Sequence, residues 1–290
     1  MLIKKSKSNC YSVSIIVPIY KLDSKEKLSH FSELISSIKL NYEYSELFWV
    51  KEVIAVHDSP GGSNKHILLN KLNELNSLVK IQFIENNTTF GQAFSRNIGA
   101  KASTGTYLHF IDQDDKISHD FYFQVSKLYA SDIDFFIGDC ILLSNSKLSF
   151  YKYFTKLWIK KVNSINRLKI LFSNNVCNSP GQMLIDANFF WRVGGFPNLV
   201  NRGSDDFAFF LRLLHIPHKY RFVENAKLLY RIHLNQSSKI LDLSASIAEA
   251  FEGLCPAHRT DLQVLEKLKI SKTLIILRIF LYKTMFNTFK

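Results

Sequence analysis

The chain has 290 residues, of which 47% are hydrophobic and 21% charged, and its formal charge is +12 at neutral pH. Such a length can bury a full core, as one large domain or one domain with an appendage, and the composition excludes intrinsic disorder. The positive balance admits an anionic partner (nucleic acid, an anionic membrane surface or phosphorylated substrates) beside the plainer reading of a basic surface kept for solubility.

Val13 to Val17 is continuous and β-branched, the pattern of a strand buried on both faces, and Pro18 is expected to stop it. Residues 25–40 space their apolar side chains as a helix does. Phe48 to Val56 reads as a second strand, closed by the turn signal His57-Asp58-Ser59-Pro60-Gly61-Gly62. A helix over 64–78, a strand from Val79 to Ile84, a helix from Gln92 to Ser103 capped by Gly105, and a strand from Tyr107 to Ile111 follow. This alternation predicts an α/β fold: a mostly parallel sheet flanked by helices, which binds ligands outside the carboxyl ends of its strands. Four such ends carry polar groups: Tyr20 to Asp23, His57-Asp58, Glu85-Asn86 and Asp112 to Asp115.

Beyond 116 the pattern is less regular. Asp134 to Leu143 reads as a strand, and 148–172 and the chain from 236 onward as helical. The last stretch, SKTLIILRIFLYKTMFNTFK, sets Lys272, Lys283 and Lys290 within about 20° of one another on a helix, opposite an apolar arc that Arg278 interrupts. It reads either as an interfacial helix on an anionic membrane or as a helix packed on its own domain or, in a homodimer, on a second copy. Cys10, Cys140, Cys177 and Cys255 lack zinc-site spacing, so reduced thiols and a cytoplasmic protein are expected. The lysines and short apolar run at the start make a poor signal peptide, and no spanning segment is expected.

Three clusters could carry chemistry. Asp112-Gln113-Asp114-Asp115 is either a solvated turn or a site for Mg²⁺ or Mn²⁺, which take oxygen ligands and leave positions for phosphates. Asp205 and Asp206 open an apolar helix, where they either meet its dipole or supply a general base. Arg231 could grip phosphate and His233 could ligate a metal, or both could be surface residues. Rossmann dinucleotide, P-loop, GxSxG and HExxH signatures do not occur. Nucleic-acid binding has only net charge behind it, so no nucleic-acid partner is expected.

SIIVPIY, EVIAVHDS and FGQAFSRNIGAKASTGTYLHFIDQDD, followed by SPGQMLI, VGGF, GSDDFAFFLRL and YRIHLNQSS, resemble in order the signatures of family 2 glycosyltransferases of GT-A fold. The resemblance covers residues 12–238. It implies an inverting, metal-dependent enzyme of the bacterial surface-polysaccharide type. The donor would be a nucleoside-diphosphate sugar, commonly UDP-linked, and the acceptor a glycan or lipid-linked oligosaccharide. By the same resemblance, Pro18, Ile19, Tyr20 and Asp58 would line the nucleotide pocket, with Arg96, Gln113 and Arg231 near the nucleotide or its phosphates. Asp112 would lie near ribose or sugar and, with Asp114 and His233, at the metal, with Asp115 in support. Asp206 would be the catalytic base, with Asp205 the next candidate. Pro180, Gly181, Gln182, Gly194, Gly195 and Phe196 would shape the donor-sugar and acceptor pocket.

The sequence departs from the pattern where His57 and Asp205 replace more usual acids and where Ser59-Pro60-Gly61 replaces Gly-Ser. The expected organisation is a domain over 1–238, with a nucleotide half at 12–115 and an acceptor half at 116–238. Residues 239–290 would be a helical extension placing the protein peripherally at the inner face of the cell membrane. A catalytically silent nucleotide-sugar-binding or assembly protein of the same fold is the alternative.

Overall fold

The computed structural model describes residues 10–44, 47–61, 64–143, 177–200, 203–213, 216–232 and 249–250. The helices expected at 148–172 and past 236, His233, and all but two residues of the proposed extension lie outside the described residues.

The first half alternates strand and helix: β1 (Tyr11–Ile19), α1 (Lys25–Tyr44), β2 (Phe48–His57), α2 (Lys65–Asn73), β3 (Lys80–Glu85), α3 (Gln92–Ala102) and β4 (Tyr107–Phe110). Then come β5 (Lys116–Ile117), α4 (Phe121–Ser126), β6 (Phe135–Leu143), a 3₁₀ turn (Pro180–Gln182), β7 (Met183–Asp186), α5 (Ala187–Val193), α6 (Asp205–Leu213) and β8 (Tyr220–Arg231). The eight strands of the described residues join one sheet, ordered β3-β2-β1-β4-β7-β6-β8-β5. The β3-β2-β1-β4 block is wholly parallel, so the carboxyl ends of its strands share one edge. The other half mixes directions, because β7 runs antiparallel to both β4 and β6 while β6 and β8 are parallel.

Two apolar cores cover the two faces. On one, Phe31, Leu34, Ile35 and Ile38 of α1, spaced as one helical stripe, join Leu68 and Leu72 of α2, Phe121 and Val125 of α4, and Val13, Ile15 and Val17 of β1. On the other, Phe189 and Phe190 of α5 and Phe209 and Phe210 of α6 meet Leu108, Phe110, Ile16, Ile54 and Val56. Along β2 the pairing with β1 steps from Val13–Val50 to Ser14–Glu52, leaving Lys51 as the extra residue of a bulge.

Two local expectations are corrected. Pro18 does not stop β1, which runs to Ile19. Gly105 does not cap α3, because the helix ends at Ala102 with an extended Ser103 behind it. Gly105 is instead required by close packing: a Cβ there would lie 2.6 Å from the backbone nitrogen of Ser14. The second helix is also shorter than its pattern, ending at Asn73, with Leu75 buried in the turns that follow.

Candidate active site

The shared carboxyl edge is where the polar residues collect. Asp58, one residue past β2, is 4% exposed. One carboxylate oxygen accepts from Asn86 Nδ2 at 2.7 Å and the Phe90 N–H at 2.9 Å, and the other from the Gly91 N–H at 2.7 Å. Three of its roughly four acceptor sites thus hold the loop between β3 and α3. Beside it, buried His57 lies 3.4 Å from Glu85, which also pairs with Lys65.

Gln113 is likewise engaged by backbone. Its Oε1 accepts from the Tyr20 N–H at 2.8 Å and its Nε2 donates to the Tyr20 carbonyl at 2.9 Å. The amide therefore ties the loop after β1, with its 42% exposed Tyr20 ring, to the acidic loop after β4. Pro18 and Ile19 are buried in the end of β1, beneath that loop.

Arg96 supplies the positive charge that the acids of this edge need. One terminal nitrogen donates to Asp112 at 2.6 Å and the other to Asp205 at 2.8 Å, with Arg96 itself 2% exposed. Burial alone would weaken its hold on the proton, but Asp112 and Asp205 more than reverse this and keep it charged. Arg96 thus bridges the acidic loop of the parallel block to the helix that Asp205 opens. It is paired with carboxylates and largely covered, rather than presented to a phosphate.

Arg231 acts as a strut. Its backbone N–H donates to Asp115 at 2.9 Å, its Nε to the Asp114 carbonyl at 3.0 Å, and a terminal nitrogen to Glu33 of α1 at 3.0 Å. Asp115 is 1% exposed, and its second oxygen has no hydrogen-bond partner. Burial, then Asp114 and Asp112, push its carboxyl well above the usual range.

Asp205 and Asp206 form the first turn of α6, whose next turn buries Phe207, Ala208, Phe209 and Phe210. Burial raises the Asp205 carboxyl, with Arg96 opposing. Burial and then the charge of Asp205 raise Asp206 to about 7, the value of a carboxylate poised to take a proton near neutrality. These two residues and Asp112 meet around Arg96, although 109 residues separate Arg96 from Asp205 in the chain.

The 3₁₀ turn packs Pro180, Gly181 and Gln182 under the acidic loop, all three buried. Ser179, just before it, donates to Asp112 at 3.3 Å. His109 of β4 holds the turn from below. Its Nε2 lies 2.8 Å from the Gly181 carbonyl, which can only accept, so Nδ1 accepts from the Tyr122 hydroxyl at 2.8 Å. Burial lowers His109 to about 4, which keeps the imidazole neutral. Gly194 and Gly195 follow α5 with φ of 94° and 66°, the left-handed turn that glycine accepts. Phe196 behind them stacks its ring 5.2 Å from the Arg96 guanidinium.

Among the described residues no group of three metal-ligating side chains stands ready. The two carboxylates of Asp112 and Asp114 nevertheless suit a hard divalent ion, which commonly takes one or two carboxylates and completes its shell with water and phosphate oxygens. The buried oxygen of Asp115 without a hydrogen-bond partner is a further oxygen of the same loop that such an ion would suit. His233 lies outside the described residues. Asn86 was expected at this edge as the polar end of β3, whereas Ser179 and His109 were not among the sequence candidates. A histidine inside the apolar run of β4 was the one visible sign.

The profile of the family described as "Glycosyltransferase like family 2" matches residues 14–254. A protein of Haemophilus influenzae described as an uncharacterized glycosyltransferase is 27% identical over 235 residues, covering 79% of this chain and 71% of that one. Among solved structures, S. aureus TarS 1–349 in complex with UDP-GlcNAc has a TM-score of 0.62 at 14% identity, over 84% of this chain and 65% of that chain. This chain therefore spans less than two thirds of that TarS chain. The mannosyltransferase PcManGT of Pyrobaculum calidifontis, in complex with GDP-Man and Mn²⁺, has a TM-score of 0.62 at 14% identity, over 92% of this chain and 70% of that chain. Among the described residues no helix is long and apolar enough to cross a membrane. The sheet and its helices have the GT-A fold of these enzymes, and the chain is a glycosyltransferase belonging to the glycosyltransferase-like family 2.

Proposed function

We propose that this glycosyltransferase inverts the anomeric centre of a nucleoside-diphosphate sugar, UDP-linked, and delivers the sugar to a hydroxyl of a glycan or lipid-linked oligosaccharide. Surface-polysaccharide synthesis at the inner face of the membrane is the proposed setting, with the basic terminal segment meeting anionic lipid. The observation that carries the reaction is the juxtaposition of Asp112 and Asp205 on Arg96, with Asp206 beside them raised to about 7.

In this reading Asp206 takes the acceptor hydroxyl's proton as its oxygen bonds to the anomeric carbon. The bond from that carbon to the diphosphate oxygen breaks on the opposite face, and the nucleoside diphosphate leaves with the electron pair. Burial, and then the charge of Asp205 that Arg96 holds beside it, raises Asp206. Tyr20 and the loop that Asp58 holds shape the base pocket, and the Pro180–Gln182 and Gly194–Phe196 turns bound the sugar and acceptor space. Asp114 and Asp112 would hold a Mn²⁺ or Mg²⁺ ion, with His233 a further proposed ligand, and the ion would offset the charge of the leaving diphosphate. The UDP-GlcNAc complex of TarS and the GDP-Man complex of PcManGT support a nucleotide-sugar donor.

The test is transfer and donor hydrolysis across UDP- and GDP-sugars with Mn²⁺, repeated in EDTA. Activity with a UDP-sugar that chelation removes and Mn²⁺ restores is the expected result. Full activity in chelator would remove the metal role of Asp114, and exclusive use of a GDP-sugar would overturn the choice of base.

A further inference from the structure

Asn97 follows Arg96 on α3 and has no role in the reading above. Its Nδ2 donates to the Phe196 carbonyl at 2.7 Å, and its Oδ1 accepts from the Phe196 N–H at 2.9 Å. A side-chain amide thus pairs with the N–H and C=O of one residue as a neighbouring strand would, across 99 residues of chain. The turn beneath is fitted to that amide: a Cβ on Gly195 would lie 2.8 Å from Asn97 Oδ1.

The residue so fixed supports the site's charged centre. The Phe196 ring stands edge-on to Phe110, the last residue of β4, at 5.0 Å between centroids, and lies 4.6 Å from Phe209 of α6. Its face lies 5.2 Å from the Arg96 guanidinium carbon. Arg96 Nε is buried without a hydrogen-bond partner, so two carboxylates and this ring set the guanidinium's orientation. We propose that Asn97 is a positioning residue: it pins Phe196 as the shelf on which Arg96 rests, so that Arg96 can hold Asp112 and Asp205 together. The inference rests on the transferase reading, in which that bridge aligns the donor-side acids with Asp206.

A double-mutant cycle separates alignment from general support of the fold. Asn97→Ala should lower kcat about tenfold when Arg96 is present, and should cost nothing further in an Arg96→Lys background. Phe196→Leu, which keeps apolar bulk but loses the ring face, should follow the same pattern. An equal loss from Asn97→Ala in both backgrounds, or no loss in either, overturns the proposal. Asn97→Asp keeps the acceptor toward the Phe196 N–H but turns an acceptor oxygen against the Phe196 carbonyl, which serves if the alanine variant does not fold.

A second readout needs no turnover. The Arg96 Nε–H, sheltered in the folded protein, should give a sharp arginine side-chain signal in ¹⁵N NMR. In Asn97→Ala or Asn97→Asp it should broaden or shift. An unmoved signal also overturns the proposal. Absence of transfer by the unaltered protein with every donor would instead overturn the transferase reading and leave the spectroscopic result to judge Asn97.

Discussion

The two edges of the parallel block each bury an acid, and they treat it in opposite ways. Glu52, near the amino end of β2, is fully buried. It accepts from Ser14 Oγ at 2.7 Å, the Thr104 N–H at 2.6 Å, Thr104 Oγ1 at 2.8 Å and Gln82 Nε2 at 2.8 Å. Burial would raise its carboxyl, yet these bonds together bring it below the ordinary value. At the carboxyl edge Asp115, Asp205 and Asp206 are all raised, first by burial and then by neighbouring carboxylates (Asp114 and Asp112 for Asp115, Asp112 for Asp205, Asp205 for Asp206), which outweigh the cations supplied. The amino edge satisfies its acid, whereas at the carboxyl edge Asp58 is satisfied but Asp115, Asp205 and Asp206 are left under-compensated.

Asp206→Asn should break the contrast most visibly. Transfer should fall about 10³-fold, while donor binding by calorimetry stays near that of the unaltered protein. Stability at pH 8 should not fall, because the amide need not ionise in a buried place. Near-normal turnover would reduce Asp206 to a partner of the helix dipole. At the other edge, Glu52→Gln should cost about 3 kcal/mol, since the new NH₂ group meets donors where acceptors are required. Chemical denaturation would measure this, and the folded fraction should keep its kcat. A variant as stable as the parent would mean that desolvation of Glu52 cancels its hydrogen bonds.

His109 lies between these extremes. An unperturbed histidine titrates near 6.5, and burial holds this one to about 4. Between those values the unfolded chain binds the proton first. Stability present above about 6.5 is therefore lost as pH falls toward about 4 and levels below it, a span of at most about 3 kcal/mol. His109→Gln should remove that component from the pH dependence of Tm, and identical slopes in the two proteins would place the protonation elsewhere. The smallest effect is in the pH–rate profile. A base raised to about 7 by burial works only when ionised, so kcat/KM should climb tenfold per unit below about 7 and flatten above it. A flat profile from pH 5 to 8 would contradict Asp206 as the base.

Much of this was legible in the chain itself. The β-branched runs and helical spacings place β1 to β4 and α1 to α3 within a few residues, because each buries a face or stripe whose period is local. The acids at 112–115 and 205–206 were likewise visible as charge where apolar elements end or begin. What escaped was pairing at a distance. Arg96, Asn97 and Gln113 look alike as polar residues near a helix or a turn. Their partners, Asp205 and the backbones of Phe196 and Tyr20, lie 109, 99 and 93 residues away, and two of the three are backbone with no side-chain signature. Glu52 hid for a related reason: in a strand its alternation reads as an outward acid, whereas the residues that bury it come from β1, β3 and the turn after α3.

The bulge at Lys51 fixes where this chain can change length. Before it, Phe48 and Val50 face the core beneath α1; after it, Val53 and Ala55 do, with Ile54 and Val56 turned to the opposite core. The strand therefore absorbs one surplus residue without turning itself over. An insertion accommodated in this way is reversible: a chain shortened at Lys51 keeps every apolar side chain on its own side. Shortening by one residue between Val53 and Val56 would rotate the rest of the strand and carry Asp58 away from the loop it holds.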